Sequence, residues 1–214
     1  MPLTAPPPEG NFELLPEATH LAVCDMIVNL GLQPSVWSGK TSFKPKVYFR
    51  WQVPAKRITV DDKDLPMVIG STYTLSLSEK ANLRRDVETW LGRALTIPEV
   101  AGEFELDSLL GKACQVSVTH NKKEDRTYAN VAAVIALPDG IPAPLLEGES
   151  LLFNSTTETP GVYEKLRPWL QEKINSTMPA PGPDRHGVPY QGHEQNMQAE
   201  LDKANSDFED DIPF

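Results

Sequence analysis

The sequence predicts an all-β domain that carries one or two helices and is followed by a disordered acidic tail. Residues 46–53 alternate strictly between polar and apolar side chains, which is the period of a half-buried strand. Residues 79–94 carry apolar side chains at helical spacing. After Ser176 the composition changes to Pro, Gly, Gln, Asn and charged residues, which is typical of a chain that stays disordered.

Two strands are expected in the first part of the domain. Residues 20–33 are apolar and β-branched enough for a long strand, with a buried helix as the alternative. Residues 35–45 are expected to form a loop, and residues 46–53 the second strand. Pro54 ends that strand, because proline has no backbone donor. Its apolar side chains face the core, and its polar side chains face solvent or a ligand.

A third strand and a helix follow. The Asp-rich turn at 61–64 leads to a strand over 67–78, whose inner face carries Ile69, Tyr73, Leu75 and Leu77. Ser78 is expected to cap the helix over 79–94. The buried stripe of this helix consists of Leu83, Val87, Trp90, Leu91 and Ala94.

Strands over 112–120 and 127–137, joined by a charged hairpin, bring the predicted number to five. A last helix over 163–174 packs back on them through Leu166, Trp169 and Leu170. Five strands with a helix between the third and the fourth fit a five-stranded OB-fold barrel with insertions. Such a barrel presents a sheet face and its loops to oligonucleotides.

Proline content and the change of composition divide the chain into four parts. The chain has 20 prolines and 40% hydrophobic residues, so ordered and disordered parts are expected together. We expect a flexible proline-rich arm over 1–18, the OB-fold domain over 19–175, a disordered linker over 176–206 and an acidic partner-binding tip over 207–214.

The charge of the chain is unevenly distributed. The net charge is −10, and residues 176–214 contain 8 acidic and 2 basic residues. Residues 40–57 contain 6 basic residues and no acidic one. Because binding to phosphate depends on the local field, this stretch can bind a nucleic acid although the whole chain is acidic.

Single-stranded nucleic acid is bound by cations that follow its phosphates and by aromatic side chains that stack on its bases. Phe49, Trp51, Tyr73 and Trp90 are assigned to the core, because their spacing follows the buried faces. The candidates for binding lie on the outer face of the second strand, in its flanking loops and in the last hairpin: Trp37, Lys40, Phe43, Lys44, Lys46, Tyr48, Arg50, Lys56, Arg57, Lys122, Lys123, Arg126 and Tyr128.

The last residues of the sequence are Asp210-Asp211-Ile212-Pro213-Phe214. Carboxylates followed by apolar side chains suit a partner that has an apolar pocket with a basic rim. This stretch resembles the C-terminal tip of bacterial and phage-encoded single-stranded DNA-binding proteins. The resemblance implies that these five residues recruit replication, recombination and repair proteins.

The middle of the chain resembles phage-encoded OB-fold single-stranded DNA-binding proteins over most of residues 15–175. The stretches that carry the resemblance are 68–73, the helix that begins at 79–83, and Leu109-Leu110-Gly111-Lys112. The chain is longer before its tail than the common bacterial pattern, which puts the tetramer of that family in doubt. A homo-oligomer and a cooperative array on DNA both stay open.

Two other classes of function fit parts of the sequence. A metal-dependent nuclease could use Asp61, Asp62 and Asp64, but these lie in one polar turn, where a solvated turn is the simpler interpretation. No nucleotide-binding loop and no nucleophile elbow is present in the sequence. A protein-interaction adaptor would use the tip but would not need the basic stretch.

The expected environment is the cytoplasm, that of the bacterial host if the protein is phage-encoded. Cys24 and Cys114 lie in apolar stretches and lack metal-ligand spacing, so they are expected to be buried and reduced. No signal peptide and no membrane span is expected. The predicted protein is not an enzyme and needs no cofactor.

Overall fold

A computed structural model describes residues 13–37, 40–124, 126–154 and 161–176. The chain divides into two units, Met1–Met178 and Pro179–Phe214, and all the described residues belong to the first. The linker and the tip that the sequence predicts therefore lie almost entirely outside the described residues. None of the helices in the described ranges is long and apolar enough to cross a membrane.

The described residues form a mostly β structure. The strands and the two α-helices are β1 Thr19–Trp37, β2 Lys40–Val60, β3 Lys63–Thr74, α1 Asn82–Leu91, β4 Ala113–Lys123, β5 Arg126–Ile135, β6 Leu151–Asn154 and α2 Pro168–Asn175. Short helical turns occur at Glu99–Glu103, Leu106–Leu109 and Tyr163–Lys165. The predicted β-rich class is thus confirmed.

The sheet has the order β3-β2-β1-β4-β5, and all of these neighbours are antiparallel. β6 adds a parallel pairing to β1 over Met26–Asn29, and α1 lies between β3 and β4 in the chain. Within the described ranges, no hydrogen-bonded register joins β3 to β5. The sheet is therefore open, and the closed barrel that the sequence predicts is not confirmed.

The main core lies between α1 and the inner face of the sheet. Phe49 and Trp51 are 1% exposed and pack with Tyr73 and Trp90, which are 7% and 6% exposed. The four aromatic side chains assigned to the core are thus confirmed there. The indole nitrogen of Trp90 donates to the Ala113 carbonyl at 3.0 Å, which ties α1 to β4.

A second, smaller core lies on the other face of β1. Met26, Val28 and Leu30 pack there against Phe153 of β6 and against two leucines. Leu166 lies just before α2, and Leu170 belongs to α2. The predicted packing of this helix on the sheet is confirmed for Leu166 and Leu170. Trp169 differs from them, because 37% of its surface is exposed.

The predicted loop over 35–45 is wrong. β1 continues to Trp37 and β2 begins at Lys40, and these two residues pair with each other. Pro34 lies opposite Phe43, and Pro45 lies opposite Leu32. Within the described residues no third strand pairs with Pro34, and Pro45 takes part through its carbonyl, which accepts from the Leu75 amide at 2.8 Å. Proline is tolerated at both positions because neither needs a backbone donor there.

Other predicted bounds also differ from the structure: the third strand is Lys63–Thr74 and not 67–78, and α1 ends at Leu91 and not at 94. β2 runs past Pro54 to Val60, because a break in register between Val53 and Arg57 accommodates the proline. Ser78 does not cap α1: its carbonyl accepts from the Ala81 amide, and the helix begins at Asn82. The strand β6 was not predicted.

The segment before β1 packs against the domain. Leu15 is 3% exposed and belongs to the main core. The carboxylate of Glu17 accepts from the His120 amide at 2.6 Å, and the Leu15 carbonyl accepts from the His120 ring at 2.8 Å. Residues 13–18, which the sequence places in the arm, thus lie against β4.

Candidate nucleic-acid interface

The ends of β1 and β2 form a two-stranded ribbon that carries basic and no acidic side chains. We call residues 31–37 and 40–46 the basic ribbon. Within the described residues its two strands pair with each other, while β6 pairs only with Met26–Asn29 and β3 only from Lys46 onward. The ribbon contains Lys40, Lys44 and Lys46. Lys44 is exposed and Lys46 is half-buried, so the ribbon presents positive charge to solvent at least at Lys44.

Phe43 gives the basic ribbon an exposed aromatic ring. This side chain is 47% exposed, and the neighbouring Lys44 is exposed as well. Trp37 and Lys40 pair at the end of the ribbon, but their side chains lie outside the described residues. The ribbon thus combines an aromatic face with cations, as binding to a single strand requires.

Lys46 connects the ribbon to the sheet. Its ammonium group donates to the Thr74 hydroxyl at 2.8 Å. Partial burial lowers the pKa of Lys46, and the charges of Lys44 and Lys173 lower it further. Lys173 is a residue of α2, so three lysines from two elements share one positive field.

Tyr48 lies next along the same face of β2. Burial raises the pKa of its hydroxyl, and the positive charges of Arg50 and Arg167 partly offset that increase. Its ring meets the ring of Trp169 edge-on, with centroids 5.1 Å apart and an interplanar angle of 88°. Across the sheet, a Cβ atom on Gly70 would overlap the Tyr48 side chain, so the glycine leaves the space that the tyrosine fills.

Arg50 faces an internal partner and not solvent. Its guanidinium donates to both carboxylate oxygens of Asp25 at 2.8–3.1 Å. The Arg50 side chain is 17% exposed, and that of Asp25 is 0% exposed. Gln52 donates to the same carboxylate and exchanges two hydrogen bonds with the backbone of Glu147. The outer face of β2 was predicted to meet solvent or a ligand, and at Arg50 and Gln52 it is largely buried.

The remaining cations of β2 lie far from the ribbon. Arg57 pairs with Asp64 at 3.0 Å and also with Glu147, while Lys56 is exposed. Lys46 lies opposite Thr74 and Arg57 opposite Pro66, eight residues apart on β3, which is about 26 Å at roughly 3.3 Å per residue. The structure therefore does not gather the candidates on β2 into a single cluster.

The last group of candidates lies on the hairpin of β4 and β5. Lys123 pairs with Arg126, Lys122 with Thr127, and Asn121 with Tyr128. The two lysines, Arg126 and Tyr128 are exposed. Tyr128 also lines a groove of about 970 Å³, together with Ile58, Val60 and Leu65 near the β2–β3 turn. This groove is apolar with mixed charges and differs in character from the basic ribbon.

The acidic turn considered for a metal holds Asp61 and Asp62 with left-handed φ angles of 49° and 60°. Asp64 is paired with Arg57. Within the described ranges, no group of three or more His, Cys, Asp or Glu side chains is placed to hold a metal ion.

Cys24 and Cys114 are buried free thiols, and burial raises the pKa of both.

Two features of this surface were not predicted from the sequence. Trp169 was assigned to packing, although Lys173 four residues later places an ammonium over its ring, 5.8 Å from the centroid. The spacing i, i+4 was the available signal, because such residues share one side of a helix. Asp25 was not recognised as a partner for Arg50; a carboxylate within an apolar strand needs such a partner.

Comparison with protein-family models finds no match to this chain, and comparison with curated protein sequences finds no significant match. The function is therefore argued from the geometry of the domain and from the motifs of the sequence.

Proposed function

We propose that this protein binds single-stranded DNA without strong sequence preference and keeps the strand unpaired. The basic ribbon is the observation that carries the proposal. Three lysines and the exposed ring of Phe43 lie on a ribbon without an acidic residue. Cations supply affinity for phosphates of any sequence, and an aromatic ring stacks on any base.

The proposal includes an OB-type barrel. The strand order β3-β2-β1-β4-β5 and the position of α1 between β3 and β4 support it. Some Cα atoms of β3 and β5 come within 8 Å of each other, although the strands share no hydrogen-bonded register. An OB-fold is a five-stranded Greek-key barrel that is itself partly open, so a gap at this edge agrees with the proposal.

The hairpin of β4 and β5 would extend the contact with DNA. Lys122, Lys123 and Arg126 are exposed at the end of this hairpin. In the proposed barrel β5 is the neighbour of β3, so the hairpin of β4 and β5 would lie beside the β3 edge of the sheet. Lys56 and Arg57 would contribute at the far end of β2, with Arg57 weakened as a phosphate ligand by its two carboxylate partners.

The melting of a DNA hairpin tests this function. A protein that binds single strands in preference to duplex stabilises the melted form, so it lowers the melting temperature of the hairpin. We expect that temperature to fall as protein is added at low salt, and the effect to weaken as salt is raised. A melting temperature that stays constant or rises would contradict the proposal.

We further propose that Asp210, Asp211, Ile212, Pro213 and Phe214 recruit partner proteins of replication, recombination and repair to the bound strand. The resemblance of these residues to the tip of single-stranded DNA-binding proteins supports this part. A tethered tip raises the effective concentration of its partner at the DNA.

Replacing Phe214 with alanine tests the tip separately. We expect capture of such partners by the immobilised protein to be lost, because the apolar anchor is removed. DNA affinity should stay equal or rise slightly. If DNA binding were lost together with partner capture, the proposed division between domain and tip would be wrong.

A further inference from the structure

We infer that Trp169 of α2 is a base-stacking residue and that it extends the DNA-binding surface from the basic ribbon across the second core. This inference rests on the proposed function, since it assigns a further contact to the same ligand, a single-stranded nucleic acid.

The exposure of Trp169 is the first observation. Two of its neighbours in sequence and structure, Leu166 and Leu170, are 3% and 1% exposed, whereas Trp169 is 37% exposed. Tryptophan is usually highly buried because its apolar area is large. An indole left partly in water beside the buried Leu170 and the half-buried Ile174 of the same helix offers an apolar face to a planar ligand.

The position of the ring is the second observation. The edge-on contact with Tyr48 fixes one side of the indole against β2. Tyr48 is itself held between the sheet and α2, because Gly70 leaves the space for it and it packs on the second core. The indole is thus a supported platform, which reduces the entropy lost when a base stacks on it.

The charges around the ring are the third observation. The ammonium of Lys173 lies over the indole, 5.8 Å from its centroid. Lys46 lies near enough to both Lys44 and Lys173 for their charges to lower its pKa. Arg167, at the start of α2, is exposed and acts on Tyr48. The ammonium of Lys173 thus places a positive charge beside the ring, where the phosphate of a stacked base would lie.

These features together favour a nucleic acid over a protein partner. The positive charge around Trp169 is continuous with that of the basic ribbon through Lys46. A strand that lies along the ribbon would meet the indole next, with phosphates near Lys46 and Lys173 and a base on the ring. Aromatic rings between lysines are the arrangement that binds single strands regardless of sequence.

The intrinsic fluorescence of tryptophan tests the contact directly. The chain has 4 tryptophans, of which Trp51 and Trp90 are buried. A Trp37→Phe protein therefore leaves Trp169 as its exposed tryptophan. Phenylalanine keeps an aromatic ring at position 37, and oligo-dT is added until anisotropy shows that both proteins are saturated. We expect it to quench the fluorescence of Trp37→Phe, and the quenching to be lost in Trp37→Phe/Trp169→Phe.

Binding of a fluorescently labelled oligo-dT, measured by anisotropy, gives the contribution to affinity. We expect Trp169→Ala to weaken binding about tenfold, since stacking on one aromatic ring contributes about 1–3 kcal/mol. Trp169→Phe keeps an aromatic face and should lose less. Ile97→Ala is the control, because Ile97 is an apolar residue with 87% exposure outside α2 and the ribbon.

The possible failures are distinguishable. If the unaltered protein did not bind oligo-dT, the proposed function would be wrong and this inference with it. If the unaltered protein bound and Trp169→Ala bound equally tightly, without quenching in Trp37→Phe, only the inference would be overturned. Thermal unfolding of Trp169→Phe separates loss of contact from loss of the fold: an unchanged midpoint with abolished quenching supports the contact.

Discussion

Replacing Asp25 with alanine is expected to lower the free energy of unfolding by about 3 kcal/mol or more, the loss typical when one partner of a buried ion pair is removed. Asp25 is 0% exposed and accepts from both Arg50 and Gln52. Without it the guanidinium of Arg50 stays largely buried with no counter-charge. A domain has a total stability of only about 5–15 kcal/mol, so this loss is large.

Denaturant unfolding of Asp25→Ala and Asp64→Ala measures the effect against a matched control. Asp64 also pairs with an arginine, but its side chain is 66% exposed. We expect Asp64→Ala to cost about 1 kcal/mol or less, because solvent screens exposed pairs. Equal losses in the two variants would show that the buried pair does not hold this face of the sheet.

A second comparison separates the charge from the packing. Removing both charges with Asp25→Ala/Arg50→Met should recover part of the stability lost in Asp25→Ala, because no unpaired buried charge remains. This reasoning also excludes charge reversal at Arg50 as a test of DNA binding. A carboxylate there would face Asp25, and the loss of DNA binding would report an unfolded domain.

Reversing two charges of the basic ribbon is expected to have the largest effect on DNA binding. Lys44→Glu/Lys46→Glu should weaken binding to oligo-dT by at least about tenfold at low salt, because two phosphate contacts are lost and two repulsive charges appear. If two contacts are lost, the slope of log affinity against log salt should fall by about 1.4, at about 0.7 per phosphate.

Titrations at several salt concentrations measure both quantities. Lys112→Glu is the control, because Lys112 is exposed and lies outside the ribbon and α2. Lys44→Glu alone is included because Lys46 also donates to Thr74. An affinity and a slope like those of Lys112→Glu would remove the ribbon from the interface.

The strand and helix patterns were predictable where one face is buried and the other is not. The alternation over 46–53 identified Phe49 and Trp51 as core residues, and the helical spacing identified Trp90. These patterns are local consequences of the geometry of strands and helices. From these patterns Phe49, Trp51 and Trp90 were assigned correctly to the main core.

The strand ends were predicted wrongly at the prolines, because whether a strand tolerates proline depends on which of its edges is paired. Pro34 lies where no third strand of the described residues pairs, Pro45 lies where β2 needs only its carbonyl, and Pro54 lies at a break in register. Sequence alone does not show which strand has a free edge, so these residues were read as ends of strands. β6 was missed because it is only Leu151–Asn154 and pairs with a distant segment.

The candidate site was predicted in part. The basic stretch 40–57 was recognised because it contains six cations and no acid, but its first part was expected to be a loop and not a paired ribbon. The pairing of Arg50 with Asp25 was missed, because their side chains meet only across two strands. The approach of Trp169 and Lys173 to Tyr48 and Lys46 depends on the packing of α2, which local patterns do not define.

The most direct test of the central claim is a titration of the intact protein with oligo-dT at low and raised salt, with a duplex of equal length as control. We predict binding that prefers the single strand and weakens as salt is raised, because phosphate contacts release counterions. The absence of binding to oligo-dT by the folded protein, also after removal of residues 207–214 to exclude competition from the acidic tip, would contradict the account.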